Sequence, residues 1–289
     1  MTPVLVCCGL ATLDVVQVVD RLPGADEKVV ARSLDVTFGG PAANAAATAV
    51  ALGVRTVLVT ALGTGPVADL VRAGLVAAGV EVVDLLTGPG APAVSTVLVT
   101  RGTGERAVVS VNATGAGDLP APSADVLRDA TALLVDGHHL GAAQVLARAA
   151  SARGIPVLLD GGSWKPGLDA LLAHVDHAVL SADFHLPDGA PVEVLLDRGP
   201  SLVAQSAGGG PVRVLRGEVD GVQLLHPPTV PAADVVDTLG AGDVLHGATA
   251  AALAAGHDIL AALREGVVRA SESVRHPGAL GWVSAPGRE

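Results

Sequence analysis

Short apolar runs alternate with Ala-rich or amphipathic segments of helical length along most of this chain, and that rhythm narrows the folds open to it. Residues 3–9 form one apolar run and residues 56–61 another. Val67, Leu70, Val71, Leu75 and Ala78 then share one helical face, closed by Gly79 as a C-terminal cap. Residues 80–85 return to a strand pattern. The cycle repeats as strand 131–135, helix 141–152 closed by Gly154, and strand 156–160. Strand then helix with short loops predicts a mostly parallel sheet covered on both faces. No linker rich in Pro, Ser or charge divides residues 1–289, which predicts one α/β domain.

Two regions break the rhythm. Residues 14–20 and 29–37 are consecutive strand-like runs with no helix between them. Residues 94–100 and 106–111 form a second pair, joined by the turn-prone Arg101-Gly102-Thr103-Gly104-Glu105. Together, over about 14–37 and 93–111, they predict four antiparallel strands in a small projecting sheet. Such a sheet serves as a lid over a site or as an edge for dimerisation, and the residues do not separate the two roles.

Composition removes several classes of function. With 29 acidic against 18 basic residues the net charge is −11, spread along the chain, which argues against a nucleic-acid surface. Lys28 and Lys165 are the only lysines, so there is no polybasic patch for a membrane. Phe38, Trp164, Phe184 and Trp282 are the only aromatics, too few for a base-stacking platform. Residues 36–54 carry no charge and are long enough to cross a bilayer, but Gly39-Gly40-Pro41, Asn44, Thr48 and many alanines suit a lipid core poorly. No basic residue precedes Arg21, so no signal peptide is predicted, and the expectation is a cytoplasmic protein. Cys7 and Cys8 are adjacent in an apolar run and read as small core residues.

The sharpest local feature is Asp237-Thr238-Leu239-Gly240-Ala241-Gly242-Asp243, followed by a helix-compatible stretch over 244–255. Small residues before a helix let backbone N–H groups approach an anion, and the helix dipole favours negative charge there. A carboxylate at Asp243 would repel a phosphate already bound, unless it takes a proton from a hydroxyl attacking that phosphate. The plain alternative is an acidic residue capping its own helix. Thr114-Gly115-Ala116-Gly117-Asp118 repeats the pattern, but Pro120 and Pro122 prevent the helix that would hold the anion, so this copy is expected to be a loop. Gly39, Gly40 and Pro41 open another helix. Asn44 and the glycine amides there could hold sugar hydroxyls, or form a tight turn only. Asp14 could accept hydroxyl hydrogen bonds from a polyol, or be a strand-end charge facing water. His138 and His139 follow Asp136 at the carboxyl end of a predicted strand, where parallel sheets bind ligands. A solvated pair, a substrate contact and, least of all, a metal site stay open for them.

On residues 9–14, Gly39-Gly40 with Asn44, and the segment 237–243 in this order, the chain resembles the ribokinase-like (PfkB) carbohydrate and nucleoside kinases over essentially its full length. Within that family it is most similar to ketohexokinase-like members. The resemblance implies a three-layer α/β/α fold with a β-sheet lid. It also implies ATP-dependent phosphorylation of a sugar hydroxyl, with fructose or a similar ketose as the first expectation. Ribose, a nucleoside or a sulfosugar stay open as acceptors, and so does a non-catalytic sensor on the same fold. By the same carry-over Asp243 is the general base, and the amides of Gly240, Ala241 and Gly242 form an anion hole. Asp14, Gly39, Gly40, Asn44 and Arg106 meet the sugar, Arg106 from the lid. Gly208, Gly210 and Gly278 lie by the nucleotide. Mg2+ accompanies ATP. A K+ ion behind the anion hole, contacted by Asp237, and a homodimer clasped through the lid are family features that the residues do not themselves show. The chain departs from the family at Ser181-Ala182-Asp183-Phe184, where Asn-x-x-Glu is usual, and at Gln205 to Gly210, a changed nucleotide loop. Pro41 and His246 also stand where polar residues and Asn are frequent.

Overall fold

The computed structural model describes residues 2–90, 92–103, 105–111, 119–217 and 219–284. The large sheet draws on β1 (Val4–Cys8), β4 (Arg55–Thr60), β5 (Glu81–Asp84), β8 (Ala132–Val135), β9 (Val157–Gly161), β10 (His177–Leu180), β11 (Leu202–Ala207), β12 (Gly210–Arg216) and β13 (Val219–Leu225). Its order is β13-β12-β11-β10-β9-β8-β1-β4-β5. Every pairing from β11 across to β5 is parallel, and β12 and β13 extend it as an antiparallel edge. Helices α1 (Pro41–Ala51), α2 (Pro66–Ala77), α5 (Ala241–Ala254) and α6 (Ile259–Ser273) cover one face. Helices α3 (Leu140–Ser151) and α4 (Leu168–Leu172) cover the other.

The alternation of side chains along β1 shows how the layers separate. Leu5 and Cys7 enter the core under α1, α2, α5 and α6, whereas Val6 and Cys8 enter the core under α3 and α4. Cys7 and Cys8 are therefore buried free thiols on opposite faces, as their apolar surroundings predicted. The uncharged stretch 36–54 resolves into a strand end and the 11-residue helix α1, and among the described residues no helix is long and apolar enough to cross a membrane.

The small sheet contains β2 (Thr12–Val19), β3 (Ser33–Gly39), β6 (Ala93–Thr100) and β7 (Arg106–Ser110), ordered β3-β2-β6-β7. One expectation needs correction: β2 pairs β6 in parallel, and only the two outer pairings are antiparallel. The reason lies in the parent sheet. Strands β1 and β5 are parallel, and β2 and β6 leave from beyond their carboxyl ends, so both run outward in the same direction. The strand expected over 29–37 also begins later, at Ser33. The copy at Thr114–Asp118 lies outside the described residues.

Helices α1 and α5 cross at very close range because Gly247 has no side chain. A Cβ there would stand 2.5 Å from the Ala45 carbonyl oxygen and 2.8 Å from the Ala45 Cα, backbone atoms that cannot step aside. Gly247→Ala is expected to destabilise the fold by about 1–3 kcal/mol, the usual range for overpacking. Urea unfolding would check it, and an unchanged midpoint would show that the crossing is looser than described.

Candidate active site

Strand order reverses between β1 and β8, and at such a switch point the carboxyl ends of the strands leave a crevice. Asp136 fills its floor. One carboxylate oxygen accepts N–H bonds from Leu10 at 2.8 Å and Ala42 at 3.2 Å, and the other accepts the His138 N–H at 2.8 Å. Gly9 leaves the room: a Cβ there would lie 2.1 Å from the carboxylate. Burial pushes the Asp136 pKa up, but His138 and the backbone donors outweigh it and hold it at about 2. The carboxylate thus ties the end of β1, the start of α1 and the end of β8 to one point.

Two helix N-termini converge above it. Gly40 precedes α1 with φ +96, and a Cβ there would stand 2.5 Å from the Leu10 carbonyl oxygen, so only glycine fits. Pro41 takes the first helical position. Gly240 precedes α5 with φ +75, and a Cβ there would collide with Ala279. Asp237 braces this loop from below, accepting the Leu239 N–H at 2.8 Å and the Gly278 N–H at 2.9 Å. Ala241 and Gly242 form the first turn of α5, where N–H groups lack intrahelical acceptors, and Gly242 fronts open space. Asp243 follows directly. Asn44 Nδ2 donates to Asp243 Oδ2 at 2.7 Å, which joins the two helices through side chains 199 residues apart. Burial and the Asp160 carboxyl raise the Asp243 pKa to about 7, against the opposing Asn44 bond.

The lid supplies the third wall. Asp14 on β2 accepts the Thr12 hydroxyl at 2.6 Å and lies over Gly39, where a Cβ would sit 2.0 Å from the carboxylate. Burial raises the Asp14 pKa, opposed by Thr12 and Ser95. Arg106 on β7 reaches the Asp237–Asp243 loop, donating to the Thr238 hydroxyl at 3.4 Å. Asp14, Gly40, Asn44, Gly240, Asp243 and Gly278 all line one cleft of about 660 Å³ between lid and large sheet. Gly208 and Gly210 do not line it; they sit at the β11–β12 hairpin, farther along the same sheet.

Other residues emerge only in three dimensions. Asp160, at the end of β9, is buried beside His246 of α5, and burial drives its pKa well up. Among the described residues no group of three or more His, Cys, Asp and Glu is arranged to hold a metal ion, and His138 and His139 form no such cluster. His139 takes a left-handed conformation, φ 51, before α3, and His138 stands 3.4 Å from Asp136. Nothing in the spacing of Asp136, Asp160 and His246 foretold their meeting, because each belongs to a different strand or helix.

A carboxyl whose folded pKa is raised destabilises the fold once ionised. Stability from this group is present at low pH and is lost as pH rises through about 7. The parent protein is therefore expected to lose melting temperature between about pH 4 and 7, and Asp243→Asn to lose less. Parallel melting curves for the two would contradict the raised pKa.

Comparison with known proteins identifies the family. The family of pfkB carbohydrate kinases matches residues 3–284. A ribokinase of Arabidopsis thaliana is 28% identical over 96% of this chain and 78% of its own length. A ketohexokinase of Mus musculus is 27% identical over 91% of this chain and 93% of its own. The structure of Arabidopsis thaliana ribokinase with ribose and ATP superposes with a TM-score of 0.74 at 22% identity, covering 99% of this chain and all of that one (100%). With a sheet lid over a three-layer α/β/α body and a family match across nearly its whole length, the chain belongs to the PfkB family of carbohydrate kinases and is a phosphotransferase acting on a sugar or nucleoside hydroxyl.

Proposed function

We propose that this kinase transfers the γ-phosphoryl group of ATP to a sugar hydroxyl, with ribose as the first acceptor and ketoses such as fructose next. The sequence alone pointed first to a ketose; the ribokinase relatives move ribose ahead of it. The observation that carries the reading is the 2.7 Å bond from Asn44 to Asp243. It sets a hydroxyl-binding amide on α1 against a carboxylate at the anion-binding end of α5, so one hydroxyl can meet both.

In this reading Asp243 takes the proton of the attacking hydroxyl, and a pKa near 7 suits a base working at neutral pH. The first-turn amides of Gly240, Ala241 and Gly242, with the α5 dipole, stabilise the charge that grows on the transferring group. Asp14, Gly39, Gly40 and Asn44 orient the sugar, and Arg106 closes from the lid. Gly208, Gly210 and Gly278 flank the nucleotide. Mg2+ neutralises phosphate charge when it enters with ATP, an arrangement that needs few protein carboxylates. Asp237 is the residue that would contact a K+ ion, through the lone pairs its carboxylate has left after accepting two backbone N–H bonds. The outer lid face exposes Leu34, Val36 and Val109, which supports a lid-to-lid homodimer.

The test is ADP release from MgATP with ribose, fructose, other ketoses and nucleosides, with K+ present or omitted. Turnover is expected with one acceptor class and to fall at least 10³-fold in Asp243→Asn, with nucleotide binding kept. Near-parent activity in that variant would remove Asp243 as the base. In the parent, kcat/KM is expected to rise with pH through about 7 as Asp243 ionises. A flat profile from pH 5 to 8 would contradict that assignment.

A further inference from the structure

One buried ionisable group has no part in the chemistry above. His246 lies on α5 one turn after Gly242, its side chain 5% exposed. Its Nδ1 stands 2.6 Å from the Gly242 carbonyl oxygen, and its Nε2 stands 2.9 Å from the Val179 carbonyl oxygen on β10. Carbonyl oxygens only accept, and a neutral imidazole carries a single N–H. A neutral ring would therefore aim one nitrogen lone pair at a carbonyl lone pair, in a place where water cannot intervene. Asp160 provides a counter-charge on the third side. Its Oδ2 is 3.3 Å from Nδ1 and has no hydrogen-bond partner among the described residues.

We propose that His246 is an imidazolium in the resting protein, donating from Nδ1 to Gly242 and from Nε2 to Val179 with Asp160 as its counter-charge, and that it is a positioning residue for the first turn of α5. Asp160 on β9, Asp136 just past β8 and Asp243 on α5 are the charged groups facing it, with His138 and Lys165 beside Asp160. Burial works against the cation, pushing the ring down and Asp160 up, while the two carbonyls work for it. A proton on Asp160 instead would leave a neutral ring with one lone pair against a carbonyl oxygen, at 2.6 Å on Gly242 or at 2.9 Å on Val179, so the pair of close contacts puts the proton on the ring.

The consequence reaches the reacting groups through one peptide plane. The Gly242 carbonyl belongs to the same peptide as the Asp243 N–H. A ring that grips this carbonyl from one side and β10 from the other sets the tilt of the first turn against the sheet. It thereby sets the direction of the Asp243 carboxylate and of the anion-hole amides. Displacements of about 1 Å at such a site can cost 10²-fold in rate.

The test is long-range ¹H–¹⁵N spectroscopy of the full-length protein labelled in histidine, from pH 6 to 9. Both His246 nitrogens are expected to carry protons throughout in the parent. In Asp160→Asn, where the cation loses its counter-charge, the ring is expected to turn neutral within that range. The kinetic arm rests on the reading of Asp243 as base. In Asp160→Asn, kcat is expected to fall about 10- to 100-fold on the alkaline side, in step with the ring, with KM for ATP little changed. An unprotonated ring nitrogen at pH 6 in the parent would overturn the proposal. So would a kcat profile in Asp160→Asn parallel to the parent's. The spectrum of the parent needs no variant to fold and no acceptor to be known, so failure of the imidazolium and failure of the proposed reaction are distinguishable.

Discussion

The site hangs on one buried carboxylate. Asp136 accepts N–H groups from three segments that are far apart in sequence, at Leu10, Ala42 and His138. Leu10 leads into the root of the lid, Ala42 belongs to the first turn of α1, and His138 follows β8. Fixing these three fixes where β2 sets out with Asp14, where Asn44 points and where the crevice floor lies. A lone carboxylate at this depth would be costly, and the three donors with His138 keep it ionised instead, its pKa about 2. Gly9 is the steric condition for all of it, since any side chain there would occupy the carboxylate's place.

From that anchor the geometry passes outward by contact. Asn44 carries the position of α1 to Asp243, and the Gly247 crossing holds α1 and α5 close enough for that bond to form. Asp237 performs a similar service for the outer loop, holding Leu239 and Gly278 together through its two oxygens and bringing Gly278 into the cleft. The lid completes the enclosure through Arg106 and Thr238, which touch across the cleft mouth. Cleft walls from four separate segments thus share a small set of polar ties, of which the Arg106–Thr238 contact, at 3.4 Å, is the longest.

What the sequence disclosed and what it withheld follow the range of the interactions. Strand and helix periods are local, and so are Pro41 and Gly79 as helix punctuation; these marked the layers and the entrance to α1. The helix start within the Asp237–Asp243 segment was legible because Gly240, Ala241 and Gly242 stand at consecutive positions before a helix-compatible stretch. The parallel pairing of β2 with β6 was not, because it depends on the direction in which two strands leave a sheet not yet assembled. Asp136, Asp160 and His246 escaped for a related reason. Buried charges are recognised by their partners, and their partners are backbone groups and side chains from other elements. His246 was visible only as an unusual letter in a familiar motif; its two carbonyl contacts give that letter a physical meaning.

The interior of this site also shows a tension between folding and catalysis. Asp243 is placed where burial and Asp160 resist its ionisation, so the same environment that suits it to the proposed role of base at neutral pH strains the fold there. An unaccompanied Asp160 carboxylate would deepen that strain, since two like charges would share one low-dielectric pocket. A cationic His246 between them changes the balance: it offsets Asp160 by direct contact and draws Asp243 back toward ionisation. An asparagine in its place could bond a carbonyl but could not carry the charge. The histidine found here therefore couples the orientation of the first turn to the electrostatics of the proposed base, through the single ring that touches both the Gly242 carbonyl and Asp160.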